Sequence, residues 1–150
     1  MDLILWRHAE AADGSPDLAR ELTPRGLKQA KDAAAWLHMH LPKQVRVLVS
    51  PAQRTLQTAR ALTGDFEVVK AVAPGASANA VLAAAGWPDA GATVLVVGHQ
   101  PTLGMVAATL VAGQALPWSI RKGGIWWLSY RVRDEDAQVV VRAVMAPDFL

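Results

Sequence analysis

The run Val94–Val97, followed at once by Gly98-His99-Gln100-Pro101, constrains this chain more than any other stretch. A short apolar block with no polar alternation reads as a strand buried on both faces, and strands of that kind belong to parallel sheets covered by helices. The rest of the chain repeats the theme. Leu3–Trp6, Val45–Val49 and the shorter Phe66–Val69 read as further strands. Between them lie helical patterns. Thr23 offers an N-cap oxygen with Pro24 at the first helical position, and Leu27, Ala30, Ala34, Leu37 and Leu41 recur at helical spacing until Pro42.

Ser50-Pro51 repeats the cap-then-proline start, with Leu56, Ala59 and Leu62 as the inner face of the helix it opens. Asn79–Ala85 reads as a helix closed by Gly86 and Pro88, and Pro101 opens another that runs to about Ala112. Ile125–Val132 and Gln138–Val144 read as two strands with RDED at their turn, an antiparallel pair near one edge. Strand alternating with helix predicts an α/β, three-layer sandwich: a mostly parallel central sheet with helices on both faces. Residues 1–150 are expected to form one domain.

Composition removes several classes of function. The formal net charge of +2, with no run of five like charges, gives no case for nucleic acid as a partner. There is no cysteine, so disulfides, thiolate zinc sites and a cysteine nucleophile are all excluded. That absence fits a reducing, cytoplasmic setting. The apolar stretches are shorter than the ~20 residues of a membrane span, and the opening MDLILW is too short for a secretory leader.

In open α/β sheets ligands bind beyond the carboxyl ends of the strands. The first strand ends in Arg7-His8, the second runs into a helix carrying Arg54, and Val94–Val97 ends at His99. Two arginines, two histidines and two helix N-termini are thus predicted at one rim. Guanidinium forks match phosphate oxygens, helix N-termini favour anions, and a neutral imidazole has a lone pair able to attack phosphorus. Either His8 or His99 suits that attack. Each residue alone reads as a solvated or structural side chain; three separate strand ends carrying compatible groups do not.

The segments RHAEA, LTPRG, SPAQRTLQTA and VVGHQP occur in the order and spacing of the histidine phosphatase superfamily, which includes the phosphoglycerate mutases. RHAEA, the short chain and the late KGGIWWL most resemble its small SixA-type phosphohistidine phosphatases. The resemblance implies a phosphoglycerate mutase-like fold and a phosphohistidine intermediate on His8. Arg7, Arg54 and His99 would hold the phosphoryl oxygens, with no metal and no organic cofactor. The partner would be a phosphorylated protein bearing phosphohistidine, or a small phosphorylated substrate.

One part of the family pattern is missing. Members that cleave phosphate esters carry a carboxylic acid after the second helix, but VAPGASANAVLAAAGWPDAG has no Glu and only the late Asp89. Glu10, Asp13 and Asp17, in the loop after the first strand, are the remaining candidates for a proton donor. An alkoxide leaves only with a proton, whereas imidazole leaves easily once solvent has protonated it, so a missing acid favours a P–N bond. The 23 residues between Val69 and Thr93 leave little for a lid.

Two other readings stay open at this stage. One is a phosphatase for a small ester or nucleotide, using a loop carboxylate as acid. The other is a phosphate-binding interaction module without turnover. His38 and His40 sit two apart and face different ways, which makes them poor metal ligands. Trp126 and Trp127 alternate across a strand, at least one of them in the core, and Lys122 reads as an exposed lysine.

Overall fold

In the computed structural model, which describes residues 1–150, the buried run Val94–Val97 lies within β4 (Thr93–Gly98), at the middle of a six-stranded sheet. The other strands are β1 (Asp2–Arg7), β2 (Val45–Val49), β3 (Glu67–Val68), β5 (Ile125–Arg133) and β6 (Asp136–Met145). Their order is β3-β2-β4-β1-β5-β6. The first four run parallel, and β5 and β6 close one side as an antiparallel pair. Four helices cover the sheet: α1 (Pro24–His40), α2 (Gln53–Arg60), α3 (Ala78–Ala85) and α4 (Thr102–Ala112).

The two-residue period of the strands divides the core. Leu3 and Leu5 of β1, with Val94 and Val96 of β4, face one apolar cluster that also takes in α3 and α4. Ile4 and Trp6, with Leu95 and Val97, face the other, shared with α1 and α2. Trp127 joins the second cluster and Trp126 packs on the first, so both tryptophans serve packing.

Several local expectations change. Leu27 is 53% exposed; the buried face of α1 is made of small residues, Gly26, Ala30, Ala33 and Ala34, with Leu37. Small side chains let the helix lie close to the chain after β1. A Cβ on Gly26 would strike the carbonyl oxygen of Glu10, and that contact explains the glycine of LTPRG. Thr23 caps this helix as expected, its hydroxyl oxygen accepting from Gly26 N–H at 3.0 Å.

Ser50-Pro51 does not start α2. Ser50 N–H still donates to Val97 in the sheet ladder (3.1 Å), so the chain turns later and Ala52 stands at the cap without a side-chain bond. Similarly Pro101 is the cap of α4 and not its first residue. Glutamine does the tethering there: Gln100 Oε1 accepts from Gly104 N–H and its Nε2 donates to the Trp118 carbonyl, both at 2.8 Å. The β5–β6 turn is tighter than RDED, with only Asp134 and Glu135 at its apex. Both have positive φ (51° and 68°), the geometry of a two-residue hairpin.

The Gly26 contact yields a stability prediction. Gly26→Ala gains helix propensity but forces the Glu10 backbone away, and is expected to cost about 2–3 kcal/mol net. Urea unfolding measures it; a neutral or stabilised variant would contradict the packing described.

Candidate active site

Strand register brings the site together. Arg7 pairs with Gly98 across β1 and β4, and Val49 pairs with Val97 across β2 and β4. The residues that follow, His8 and His99, therefore leave the sheet side by side at its carboxyl rim, with Ser50 one residue behind them, level with Gly98. His8 N–H donates to the Gly98 carbonyl at 3.0 Å, extending the ladder by one bond. By the same two-residue period that places Ile4 and Trp6, His8 falls on the α2 side of the sheet, as does His99 after Leu95 and Val97. The ring centroids are 5.3 Å apart.

Helix α2 is fastened onto this row. The Thr58 hydroxyl accepts from Ala9 N–H (3.1 Å) and donates to the Arg54 carbonyl (2.7 Å). Gln57 Oε1 accepts from Leu22 N–H at 2.7 Å. The polar residues of SPAQRTLQTA thus tie the helix bearing Arg54 to the loop that follows His8. Arg54 is buried (5% exposed), as are His8 (8%) and His99 (3%).

His8 has a defined tautomer. His8 Nδ1 lies 2.7 Å from the Ala9 carbonyl, which can only accept. The proton of the neutral ring is therefore on Nδ1, and the lone pair is on Nε2. Burial pushes His8 down from 6.5 to about 4, against the Ala9 hydrogen bond and helped by the charges of Arg54, Arg7 and Arg20. His99 falls to about 3, through burial first and then His8 and Arg54, with Asp17 opposing. Its Nε2 sits 2.7 Å from Ser50 Oγ. Both rings are neutral at physiological pH.

The arginines keep donors in hand. Arg7 Nη1 donates to the Ile120 carbonyl (2.7 Å). Arg54 donates through Nη1 to the Asp17 carbonyl (2.9 Å) and through Nη2 to its carboxylate (3.1 Å). Of five N–H groups on a guanidinium, Arg54 retains three. Three buried side-chain nitrogens in the chain have no hydrogen-bond partner: Arg7 Nε, Arg54 Nε and His99 Nδ1. All three belong to this cluster. An unpaired buried donor costs roughly 1–3 kcal/mol, a cost that an oxyanion accepting from several of them offsets.

The loop carboxylates are distributed unevenly. Asp13 is exposed. Glu10 accepts from the Thr23 hydroxyl at 2.8 Å. Asp17 pairs with both Arg20 and Arg54, which hold its carboxyl below the usual range. Sequence reasoning overlooked Arg20 and the contact of Ser50 with His99. A charged side chain in an irregular loop and a serine next to proline leave no periodic signal from which to infer them.

The sequence profile of the histidine phosphatase superfamily (branch 1) matches residues 3–75. Phosphohistidine phosphatase SixA of Escherichia coli K12 is 32% identical over 126 residues, 78% of each chain. An uncharacterised protein of Mycobacterium tuberculosis is 36% identical over 113 residues, 71% of this chain and 70% of its own. Among solved structures, the protein histidine phosphatase SixA complexed with tungstate superposes with a TM-score of 0.80 at 28% identity, covering 99% of both chains.

The depressed imidazoles make stability pH-dependent in a defined direction. Their folded values lie below the 6.5 of the free side chain, so the unfolded chain binds more protons as pH falls through 6. Stability is expected to be complete above about pH 6.5 and to fall toward pH 4, with a slope of roughly 1.4 kcal/mol per pH unit for each ring. Thermal midpoints across that range test it. In NMR titrations the His8 and His99 ring resonances should hold still from pH 8 to 5.5; a titration of either near 6.5 would contradict the burial described.

Proposed function

The chain belongs to the histidine phosphatase superfamily, and from that premise we propose that it removes the phosphoryl group from phosphohistidine on a protein through an intermediate on His8. The observation that carries this reading is the cluster of unpartnered buried nitrogens on Arg7, Arg54 and His99 around a neutral imidazole whose free lone pair is on Nε2. Tungstate, found in the related SixA structure, is a tetrahedral oxyanion like phosphate, which supports an oxyanion as the species held here.

The steps follow from the groups. Arg7 and Arg54 engage the phosphoryl oxygens through charge-assisted bonds, and His99 adds a further donor when its proton is on Nδ1. His8 Nε2 attacks phosphorus as the P–N bond to the substrate breaks, and the departing imidazole takes its proton from solvent. Water then attacks phosphorus, the P–Nε2 bond breaks, and inorganic phosphate leaves with His8 restored. The arginine charges act throughout, because charge on the oxygens is redistributed during transfer.

The choice of a P–N bond rests on the carboxylates. A general acid must hold a proton at working pH. Asp17 is held ionised by Arg20 and Arg54, a state suited to orienting the Arg54 fork and unsuited to giving up a proton. Glu10 is engaged by Thr23, and Asp13 stands in solvent. Without a dedicated acid, the leaving group must be one that solvent can protonate.

Wild type and His8→Ala are to be compared on an aryl phosphate, a sugar phosphate and a phosphohistidine-bearing protein. The wild type should turn over the phosphohistidine protein fastest, and His8→Ala should lose about 10³-fold or more on every substrate it acts on. Quenched reactions should yield a phosphorylated enzyme that is stable in base and labile in acid. Faster hydrolysis of the sugar phosphate would contradict the substrate assignment, and turnover of nothing would favour a binding module.

A second comparison separates orientation from chemistry. Arg54→Ala should reduce kcat by at least about 10²-fold, and Asp17→Asn should reduce kcat by a smaller factor, about 3–10-fold, through a less constrained Arg54. An Asp17→Asn enzyme that instead selectively loses ester hydrolysis, together with the basic limb of the wild-type pH profile, would show Asp17 to be an acid.

A further inference from the structure

The turn Arg121–Gly124 is fastened to the end of β1. Gly123 N–H donates to the His8 carbonyl and Arg7 N–H to the Gly124 carbonyl, both at 3.0 Å, while Gly124 N–H closes the turn on the Arg121 carbonyl at 2.8 Å. The Trp6 indole donates to the Gly123 carbonyl at 3.1 Å. Gly123 has φ of 73°, and a Cβ there would lie 2.8 Å from Pro147 Cγ, so the two glycines of KGG are demanded by the close approach. Arg121 and Lys122 are thereby held at the rim beside His8. On the opposite side, the first turn of α1 is pressed against Glu10 and presents Arg25.

Between these elements lies a cavity of about 410 Å³, bordered by Arg7, Arg25, Arg121 and Lys122. Its carboxylates are Glu10 and Asp148, and both are engaged: Glu10 by the Thr23 hydroxyl, Asp148 by Arg121 at 3.7 Å. Arg25 and Lys122 pair with no carboxylate. Four cations against two carboxylates leave the cavity an excess of two positive charges. Pro147 is the one apolar side chain in its lining and the rest are charged or amide groups, so the cavity offers a charged wall far more than an apolar one. Arg7 belongs both to this cavity and to the phosphoryl cluster. A ligand filling both therefore carries two anionic groups on either side of one guanidinium.

We propose that this cavity is a second anion subsite, which takes the carboxylate of an Asp or Glu side chain flanking the phosphorylated histidine of the substrate protein. The inference rests on the phosphohistidine reading above and adds a sequence preference to it. Fields of this kind discriminate between charged and neutral partners and weaken with salt.

The test uses two phosphohistidine peptides of equal length, one with Asp and Glu around the phosphorylated residue and one with Asn and Gln. At low ionic strength wild type should favour the acidic peptide by about tenfold in kcat/KM. In Arg25→Gln/Lys122→Gln that ratio should fall to about one, and Arg25→Glu/Lys122→Glu should instead favour a Lys-flanked peptide. Both positions are exposed, so folding is expected to survive. A wild type indifferent to the flanks, or a double variant that keeps the preference, overturns the subsite. Calorimetry with an unphosphorylated Asp/Glu peptide on the intact chain gives an independent readout. Binding should weaken about tenfold in the double glutamine variant, and unchanged binding also overturns the proposal. Should neither phosphohistidine peptide be cleaved while the aryl phosphate is, the substrate reading fails, and the calorimetric comparison still decides the subsite.

Discussion

The parallel register of β1, β4 and β2 is the constraint on which the rest of the molecule depends. Pairing Arg7 with Gly98 and Val49 with Val97 aligns three strand ends to the residue. A slip of one residue in any of them would turn its side chains to the opposite face. That slip is opposed by the core itself: Ile4, Trp6, Leu95 and Val97 fill one apolar cluster, and Leu3, Leu5, Val94 and Val96 the other. The hydrophobic alternation that stabilises the sheet therefore also sets the 5.3 Å separation of the His8 and His99 rings.

Around that row the protein maintains an electrostatic tension. Two imidazoles are buried beside Arg7 and Arg54, and the cost of charging them in that setting keeps both neutral. A neutral ring with one nitrogen committed to a backbone carbonyl has one defined lone pair, the condition for nucleophilic attack. Of the loop carboxylates, Asp17 reaches the Arg54 guanidinium, and it is itself shared with Arg20. The site thus carries excess positive charge and unpaired donors in a region where both are expensive, and perturbed electrostatics of this kind cluster at functional sites.

Much of the fold was legible from local rules. The buried runs at Leu3–Trp6, Val45–Val49 and Val94–Val97 became β1, β2 and β4, and Thr23-Pro24 and Gly86 bounded their helices as capping chemistry predicts. The failures share a cause. Leu27 is exposed because glycine and alanine, not leucine, allow the close approach of α1 to Glu10. Ser50 was read as a helix cap because its sequence resembles one, yet its backbone is still held by β4 and its hydroxyl contacts His99. In each case a long-range contact outweighed a local preference of less than about 1–2 kcal/mol.

By itself the sequence determined which candidate residues stand at which strand ends. Hydrophobic period and capping are encoded within a few neighbours, and the excess of Arg and His at those ends needs no partner to be noticed. The tertiary structure alone decided which nitrogen of His8 is free, that Asp17 and Arg20 are joined to Arg54, and that Arg25 and Lys122 border one cavity with Arg7. Those facts are distances between residues far apart along the chain. They are set by how α1, α2 and the Arg121–Gly124 turn pack on the sheet, and no local propensity records them.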